Sequence, residues 1–212
     1  MKIKICGLTN TKDAVLCESC GADALGFVFY EKSLRYITPS SAKQIVSELS
    51  GRALKVGVFV NHTAEFIIDT VNMLGLDLIQ LHGVEQPEFL DYMPRRVIKS
   101  FSIKDGFNFH DICRYSNIIP LLDTYSANAY GGSGKKFSWE IIPQEFRNRI
   151  ILAGGIRSND LGYISENITP FAVDISSSLE VSPGRKDPDK IRQLFDTYIL
   201  LKLKESINGT TR

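Results

Sequence analysis

The stretch LKVGVFVNHTAEFIIDTVNMLGLDLIQL, residues 54–81, contains a strand, a helix and a second strand in succession. Residues 54–60 and 76–81 are mainly apolar at consecutive positions, which is typical of strands covered on both faces in a parallel sheet. Between them, apolar residues recur at helical spacing along one stripe: Ala64, Ile67, Ile68, Val71 and Leu74. Such a helix returns the chain so that the second strand runs parallel to the first.

The same alternation extends along the chain in both directions. The short apolar runs that qualify as strands are residues 2–6, 24–29, 54–60, 76–81, 97–101, 118–123, 150–153 and 171–175. This pattern suits a closed barrel or an open doubly wound sheet, but the open sheet usually carries a G-x-G-x-x-G fingerprint after its first strand. Residues 6–9 read CGLT instead. We therefore predict an α/β fold, a single-domain (β/α)8 TIM barrel over residues 1–203, with a frayed polar tail over residues 204–212.

Composition restricts the class of partner. The chain has 212 residues with 25 basic and 24 acidic side chains, so it lacks the net field that draws a protein to nucleic acid or anionic membrane. No apolar stretch reaches the roughly 18 residues of a membrane span, and residues 1–6 have strand rather than signal-peptide character. Four cysteines are too few for a dense disulfide framework. We expect a cytoplasmic protein whose partner is a small molecule, not nucleic acid or membrane.

Catalytic groups in such barrels lie at the carboxyl ends of the strands, because the loops that follow surround one cavity. Polar residues at these ends or in these loops are Cys6, Arg35, Asn61, His62, Gln80, His82, Asp123, Asp174 and Ser176. Asp123 ends an apolar run, and packing rarely explains such a carboxylate, so we interpret it as functional, with a turn cap as the alternative. Cys6 has two interpretations at this point, a small buried hydrophobe or a reactive thiol.

The loops after the seventh and eighth strands predict a phosphate site. They contain Gly154-Gly155 and Ser176-Ser177-Ser178, and glycine lets backbone N–H groups approach an anion. We assign phosphate binding to Gly154, Gly155, Ser176 and Ser177. An ordinary Gly-Gly turn is the alternative.

Neither a nucleotide motif nor a metal motif is predicted. Residues 124–136 form a long glycine-rich connection, which predicts a mobile active-site loop. The lysine at position 136 stands where a nucleotide P-loop requires serine or threonine. His62 and His82 have no metal-binding spacing with each other or with the cysteines, so we predict no metal.

Sequence blocks over nearly the whole chain resemble those of phosphoribosylanthranilate isomerases. They are KICGLT (4–9), GADALGFVF (21–29), SLRY (33–36), VGVFVN (56–61), LIQLHG (78–83), LDT (122–124), YGGSGK (130–135), ILAGG (151–155) and VDISS (173–177). The resemblance implies isomerisation of N-(5-phosphoribosyl)anthranilate to 1-(2-carboxyphenylamino)-1-deoxyribulose 5-phosphate. This is an Amadori rearrangement of tryptophan biosynthesis that needs no metal or organic cofactor.

The resemblance also implies roles for single residues. Asp123 corresponds to the family's general acid, which protonates the ring oxygen of the sugar, and Cys6 corresponds to its general base. Arg35 resembles the residue that meets the anthranilate carboxylate, with a surface arginine as the alternative. We add His82 and Asp174 as substrate-binding residues, and we expect a monomer or a homodimer.

Two other functions stay open. A phosphosugar isomerase of the histidine pathway would share the barrel, but those enzymes rely on a pair of aspartates where this chain has Cys6 and Asp123. A non-catalytic barrel that binds a phosphorylated metabolite is the second alternative. The joint presence of Cys6, Asp123 and Arg35 argues against it.

Two positions depart from the family pattern. Leu34 replaces a proline in the loop that holds Arg35, and the sequence leaves open whether this loosens the loop. Ser178 replaces a glycine in the phosphate loop. If that glycine has a positive φ angle, Ser178 is strained, whereas if it serves close approach alone, the hydroxyl donates to the anion and little is lost. We expect the second outcome.

Overall fold

Eight parallel strands hydrogen-bond in chain order into a closed barrel in this computed structural model, which describes residues 1–124 and 137–209. The strands are β1 Lys2–Cys6, β2 Ala24–Val28, β3 Leu54–Phe59, β4 Leu78–Leu81, β5 Val97–Ile103, β6 Ile118–Thr124, β7 Ile151–Leu152 and β8 Ala172–Ile175. An antiparallel hairpin follows them, β9 Glu180–Ser182 and β10 Arg185–Lys186. The predicted barrel is confirmed. Apart from Thr124, the predicted active-site loop over 124–136 lies outside the described residues.

Helices connect most of the strands. They are α1 Thr11–Cys20, α2 Pro39–Ser47, α3 Ala64–Leu74, α4 Gln144–Arg147, α5 Leu161–Tyr163 and α6 Pro188–Gly209. Short 3-10 turns, Pro87–Tyr92 and Phe109–Arg114, replace an α-helix after β4 and β5. Helix α6 continues beyond the boundary expected at residue 203, because leucine, lysine and glutamate form helix well even where the sequence is polar. In the described part of the chain, no helix is long and apolar enough to cross a membrane.

The unit from β3 to β4 forms as its pattern predicts. The Thr63 hydroxyl oxygen accepts a hydrogen bond from the Phe66 N–H at 3.3 Å, and this caps the start of α3. Gly75 ends the helix with φ 58°, a left-handed conformation that glycine adopts readily. The buried face of α3 consists of Ile67, Thr70, Val71 and Leu74. This face holds the helix against the barrel, where β3 and β4 pair in parallel.

Alternation along the strands directs polar side chains into the barrel. Ile3 and Ile5 pack in the layer between the barrel and its helices, so Lys4 and Cys6 turn inward. Apolar side chains that also turn inward include Ala24, Val56, Ile98, Leu121, Ile151 and Ala172. Lys4 and Asp174 are register partners of β1 and β8. Their side chains consequently meet inside the barrel.

Candidate active site

The residues assigned to the site from the sequence converge on one pocket at the carboxyl ends of the strands. Its lining includes Cys6, Arg35, His82, Asp123, Gly154, Gly155, Asp174, Ser176 and Ser177. Gln80 and Ser178 also line it. The convergence follows from the parallel barrel, in which every strand ends at the same rim.

Asn61 and His62, the other candidates at strand ends, serve the scaffold. The Asn61 side-chain oxygen accepts the Val84 N–H at 2.8 Å, which ties together the loops after β3 and β4. The His62 ring stacks on Phe66 at 4.8 Å between centroids, and its Nδ1 accepts the Val60 N–H. In residues 1–124 and 137–209 there is no group of three or more His, Cys, Asp or Glu side chains that could hold a metal ion.

Cys6 has its thiol in a space kept open by the neighbouring strand. A Cβ atom on Gly26, its register partner in β2, would come within 2.7 Å of the Cys6 Sγ. Burial raises the pKa of the Cys6 thiol, the Lys4 and Lys186 cations oppose this shift, and the Asp174 carboxylate adds to it. Burial dominates, so Cys6 is a thiol at neutral pH in the unliganded site.

Asp174 and Lys4 form a buried ion pair beside Cys6. Lys4 Nζ lies 2.8 Å from Asp174 Oδ2. Burial opposes the charge on Lys4, but attraction to the Asp174 carboxylate, and to the Cys6 sulfur once it is ionised, outweighs it, and the pKa of Lys4 is raised. The other oxygen, Asp174 Oδ1, is buried and has no hydrogen-bond partner within the described residues. Asp174 also lines the pocket, so this oxygen is a candidate acceptor for a hydroxyl group of a ligand.

Asp123 is buried and has neighbours on both carboxylate oxygens. The Thr124 N–H donates to Oδ1 at 2.8 Å, and His82 Nε2 lies 3.6 Å from Oδ2. His82 Nδ1 in turn lies 2.8 Å from the Gln80 side-chain nitrogen. With the amide donating, Nδ1 is the acceptor and a neutral ring carries its proton on Nε2, which lies 3.4 Å from the Ser100 hydroxyl oxygen and 3.6 Å from Asp123 Oδ2. This arrangement places a carboxyl group and an imidazole on the same side of the pocket.

Arg35 is neither a loose nor a surface side chain. Its Nε and Nη2 donate to the two oxygens of Glu180 at 2.8 and 2.7 Å, with side-chain exposures of 15% for Arg35 and 4% for Glu180. Gly7 has φ 77°, and a Cβ atom there would overlap Arg35 Cδ. The loop that contains Leu34 is hydrogen-bonded: the Ser33 hydroxyl oxygen accepts the Arg35 N–H at 3.1 Å, and the Ser33 carbonyl accepts the Tyr36 N–H at 3.0 Å.

The loops after β7 and β8 combine glycine conformations with a helical turn. Gly154 and Gly155 have φ 92° and 65°, which glycine alone adopts without strain. The N–H groups at the start of the turn Ser177–Leu179 have no partner within that turn. The Ser176 hydroxyl donates to the Cys6 carbonyl at 3.0 Å, so its proton is already used, and an anion would meet backbone N–H groups first.

Ser178 adopts no strained backbone. Among the described residues other than glycine, positive φ angles occur at Asn61, Asn117 and Thr169. The strained alternative for Ser178 is therefore excluded. Its hydroxyl donates to the Ile156 carbonyl, which differs from the expected role as a donor to the anion.

Three charged residues of the site, Lys4, Glu180 and Lys186, were missed by reasoning from strand ends. Lys186 is fully buried, and its Nζ donates to the Cys6 carbonyl at 2.7 Å, the Ser176 carbonyl at 3.2 Å and Glu180 Oε1 at 2.9 Å. Lys4 could have been found from the sequence. Residues two apart in a strand point to the same side, so Lys4 faces the same way as Cys6 in KIKIC. Glu180 and Lys186 lie in the hairpin after β8, where the sequence pattern gives no such signal.

Known proteins resemble this chain over most of its length. A family model described as N-(5'phosphoribosyl)anthranilate (PRA) isomerase matches residues 3–197. The N-(5'-phosphoribosyl)anthranilate isomerase of Citrifermentans bemidjiense is 43% identical over 195 residues, 92% of this chain and 95% of that protein. The crystal structure of phosphoribosyl anthranilate isomerase from Thermotoga maritima has a TM-score of 0.84 and 38% identity, and the match covers 93% of this chain and 98% of that one. A phosphoribosyl anthranilate isomerase in complex with reduced 1-(o-carboxyphenylamino)-1-deoxyribulose 5-phosphate has a TM-score of 0.82 and 36% identity, over 93% and 97% of the two chains.

Proposed function

The chain belongs to the N-(5'-phosphoribosyl)anthranilate isomerase family, and from this premise we propose that Cys6 and Asp123 carry out its isomerisation as general base and general acid. The substrate is N-(5-phosphoribosyl)anthranilate, and the product is 1-(2-carboxyphenylamino)-1-deoxyribulose 5-phosphate. The observation that carries the proposal is that both side chains line one pocket together with the two predicted phosphate loops.

The two residues divide the proton transfers. Asp123, in its protonated form, gives a proton to the furanose ring oxygen, and the C–O bond breaks to leave an open chain with an iminium group. Cys6 gives up its thiol proton to solvent water, and the thiolate then takes a proton from the sugar carbon next to the iminium, whose C–H electron pair forms the enolamine. Tautomerisation of the enolamine gives the keto product, so no electrons enter or leave the substrate.

The electrostatics of the site suit this order of events. Burial raises the pKa of Cys6 in the unliganded site, whereas a base must be ionised. An iminium cation near the sulfur stabilises the thiolate, because an opposite charge in a buried site favours the charged form. The same cation acidifies the carbon that loses the proton. Cys6 therefore gains basic character when the ring has opened.

Substrate binding is proposed for residues around the same rim. Arg35 meets the anthranilate carboxylate, and Asp174, with its unpartnered Oδ1, accepts a sugar hydroxyl. His82 stands beside Asp123 and orients the substrate at the acid. The phosphate lies against Gly154, Gly155, Ser176 and Ser177, mainly through backbone N–H groups.

The direct test is an assay of the purified chain with substrate generated in situ. Loss of the fluorescence of the anthranilate derivative is the expected result. Binding of the substrate without turnover would instead support a non-catalytic barrel for phosphorylated metabolites. Turnover of a histidine-pathway aminoaldose in place of the anthranilate substrate would support a phosphosugar isomerase of that pathway. Cys6 argues against this outcome, because those enzymes have an aspartate at its position.

We also propose that the protein acts in the cytoplasm as a monomer or a homodimer, without nucleic acid or membrane. Its chemistry needs Cys6 as a reduced thiol, and the described cysteines are free. One chain supplies all the side chains of the proposed site, so neither oligomeric state is needed to complete it. Sedimentation of the purified protein would distinguish the two states.

A further inference from the structure

Arg35, Glu180 and Lys186 form a chain of charge-assisted hydrogen bonds behind the proposed carboxylate site. Glu180 accepts Arg35 Nε and Nη2 at 2.8 and 2.7 Å. It also accepts Lys186 Nζ at 2.9 Å. Glu180 and Lys186 are almost fully buried, whereas Arg35 reaches the pocket.

The contact with Glu180 occupies one edge of the Arg35 guanidinium group. A guanidinium carries five N–H donors in a planar fork. The bidentate bond uses Nε and one hydrogen of Nη2, so Nη1 and the second Nη2 hydrogen remain for another acceptor. The bidentate bond to Glu180 fixes the plane of the Arg35 guanidinium group, and this plane determines where a second carboxylate can bind.

Glu180 is itself held in place from the opposite side. Lys186 Nζ binds the Cys6 and Ser176 carbonyl oxygens as well as Glu180, so the carboxylate is tied to the ends of β1 and β8. The Gly184 N–H adds a weaker bond to Glu180 Oε1 at 3.4 Å. The orientation of Arg35 is consequently tied to the two strands that present the proposed base and one phosphate loop.

The charges of the three groups do not cancel. Two cations and one carboxylate leave a single positive charge, and Arg35 carries it to the pocket. An anionic group of a ligand would complete the neutralisation without displacing Glu180. A neutral group in the same place would leave the charge uncompensated in a partly buried site.

We infer that Glu180, supported by Lys186, is a positioning residue that holds the free edge of Arg35 toward the substrate and thereby selects substrates with a carboxylate on the aromatic amine. This inference rests on the proposed role of Arg35. It opposes a second possibility, in which Glu180 competes with the substrate carboxylate for Arg35.

The test is the variant Glu180→Gln, assayed with the anthranilate substrate and with the analogue in which aniline replaces anthranilate. Glutamine keeps the shape of the side chain but removes the charge and one acceptor site for the fork. The KM for the anthranilate substrate is expected to rise about tenfold, the scale for loss of a charge-assisted contact. Its kcat, and both constants for the aniline analogue, are expected to stay within about threefold.

The matched control is Glu145→Gln, which removes an exposed carboxylate that does not line the pocket. Its selectivity should equal that of the parent chain. If Glu180→Gln does not fold, Glu180→Asp keeps the charge for Lys186 and withdraws the carboxylate from Arg35. The same selective rise in KM is then expected.

Each other result overturns the inference. A fall in KM for the anthranilate substrate would show that Glu180 competes with it, and equal rises for both substrates would show a general structural role. An unchanged KM would show that Arg35 needs no positioning. The proposed role of Arg35 is tested separately with Arg35→Ala. If Arg35→Ala loses selectivity and Glu180→Gln keeps it, Glu180 does not position Arg35, but the role of Arg35 stands. If Arg35→Ala keeps its selectivity, neither residue has the proposed role.

Discussion

Lys4 Nζ lies 2.8 Å from Asp174 Oδ2, with the two side chains 3% and 9% exposed. The pair forms because the two residues face each other across the register of β1 and β8 and both turn into the barrel. Lys4 is also a cation close to Cys6, and its charge opposes the effect of burial on the pKa of the thiol. The pKa of Cys6, the proposed base, thus depends on the neighbouring Lys4–Asp174 ion pair.

Replacing this cation should change the pH dependence of the reaction. Burial already raises the pKa of Cys6, and loss of the Lys4 charge removes a group that lowers it. In Lys4→Met, the rise of kcat/KM that accompanies ionisation of Cys6 is expected at higher pH than in the parent chain. Lys2→Met is the matched control, since Lys2 lies on the same strand but is exposed. A profile that does not move in Lys4→Met would mean that this lysine does not influence the base.

Removal of either proposed proton-transfer group should reduce kcat with the fold intact. Cys6→Ala and Asp123→Asn are each expected to lower kcat by at least about a hundredfold, the usual scale for a general acid or base. Circular dichroism should stay unchanged, because both side chains face the pocket and neither belongs to the main apolar layer. Near-normal turnover in either folded variant would disprove that residue's role.

Arg35→Ala should weaken binding of the carboxylate-bearing substrate. The expected rise in KM corresponds to about 1.5–3 kcal/mol for a charge-assisted contact. The variant also leaves Glu180 without one of its two cationic partners, so a lower melting temperature is expected. The exposed Arg192, paired with Asp189 at the surface, provides the control Arg192→Ala. The assignment fails if KM is the same in both variants.

The barrel and the identity of the pocket residues were predictable because both depend on local patterns. Apolar runs indicated the strands, and the polar residue that ends a run, such as Asp123, lies at the rim of any parallel barrel. Charge pairing between distant segments was not predictable. Glu180 contacts Arg35, and Lys186 contacts the Cys6 carbonyl, only in the tertiary structure. No spacing in the sequence indicates either contact. Nor does the sequence around Leu34 indicate what holds Arg35, because Glu180 binds its guanidinium group from a distant segment.

Activity is expected to survive exhaustive dialysis against a chelator. The proposed chemistry consists of proton transfers by Cys6 and Asp123, and neither step calls for a Lewis acid. The kcat and KM of dialysed protein should match those of untreated protein. Restoration of a lost activity by zinc or magnesium would contradict the mechanism.

Ser178 provides the last prediction, because its environment differs from the one expected. Its backbone is not in the left-handed region, so glycine would relieve no strain there. Its hydroxyl donates to the Ile156 carbonyl and so joins the loop after β8 to the loop after β7. Ser178→Gly removes this bond and adds conformational freedom to the unfolded chain, which together should cost about 1–2 kcal/mol of stability.

The effect on substrate binding should be small by comparison. The anion is expected to meet backbone N–H groups, and these remain in Ser178→Gly. The KM should therefore change by less than about tenfold, while the melting temperature falls. Ser182→Gly, in the exposed part of β9, is the control for a serine to glycine change outside the pocket. A higher melting temperature together with a much lower KM in Ser178→Gly would show that the serine strains the phosphate loop, and the hydrogen bond to Ile156 would then have no stabilising role.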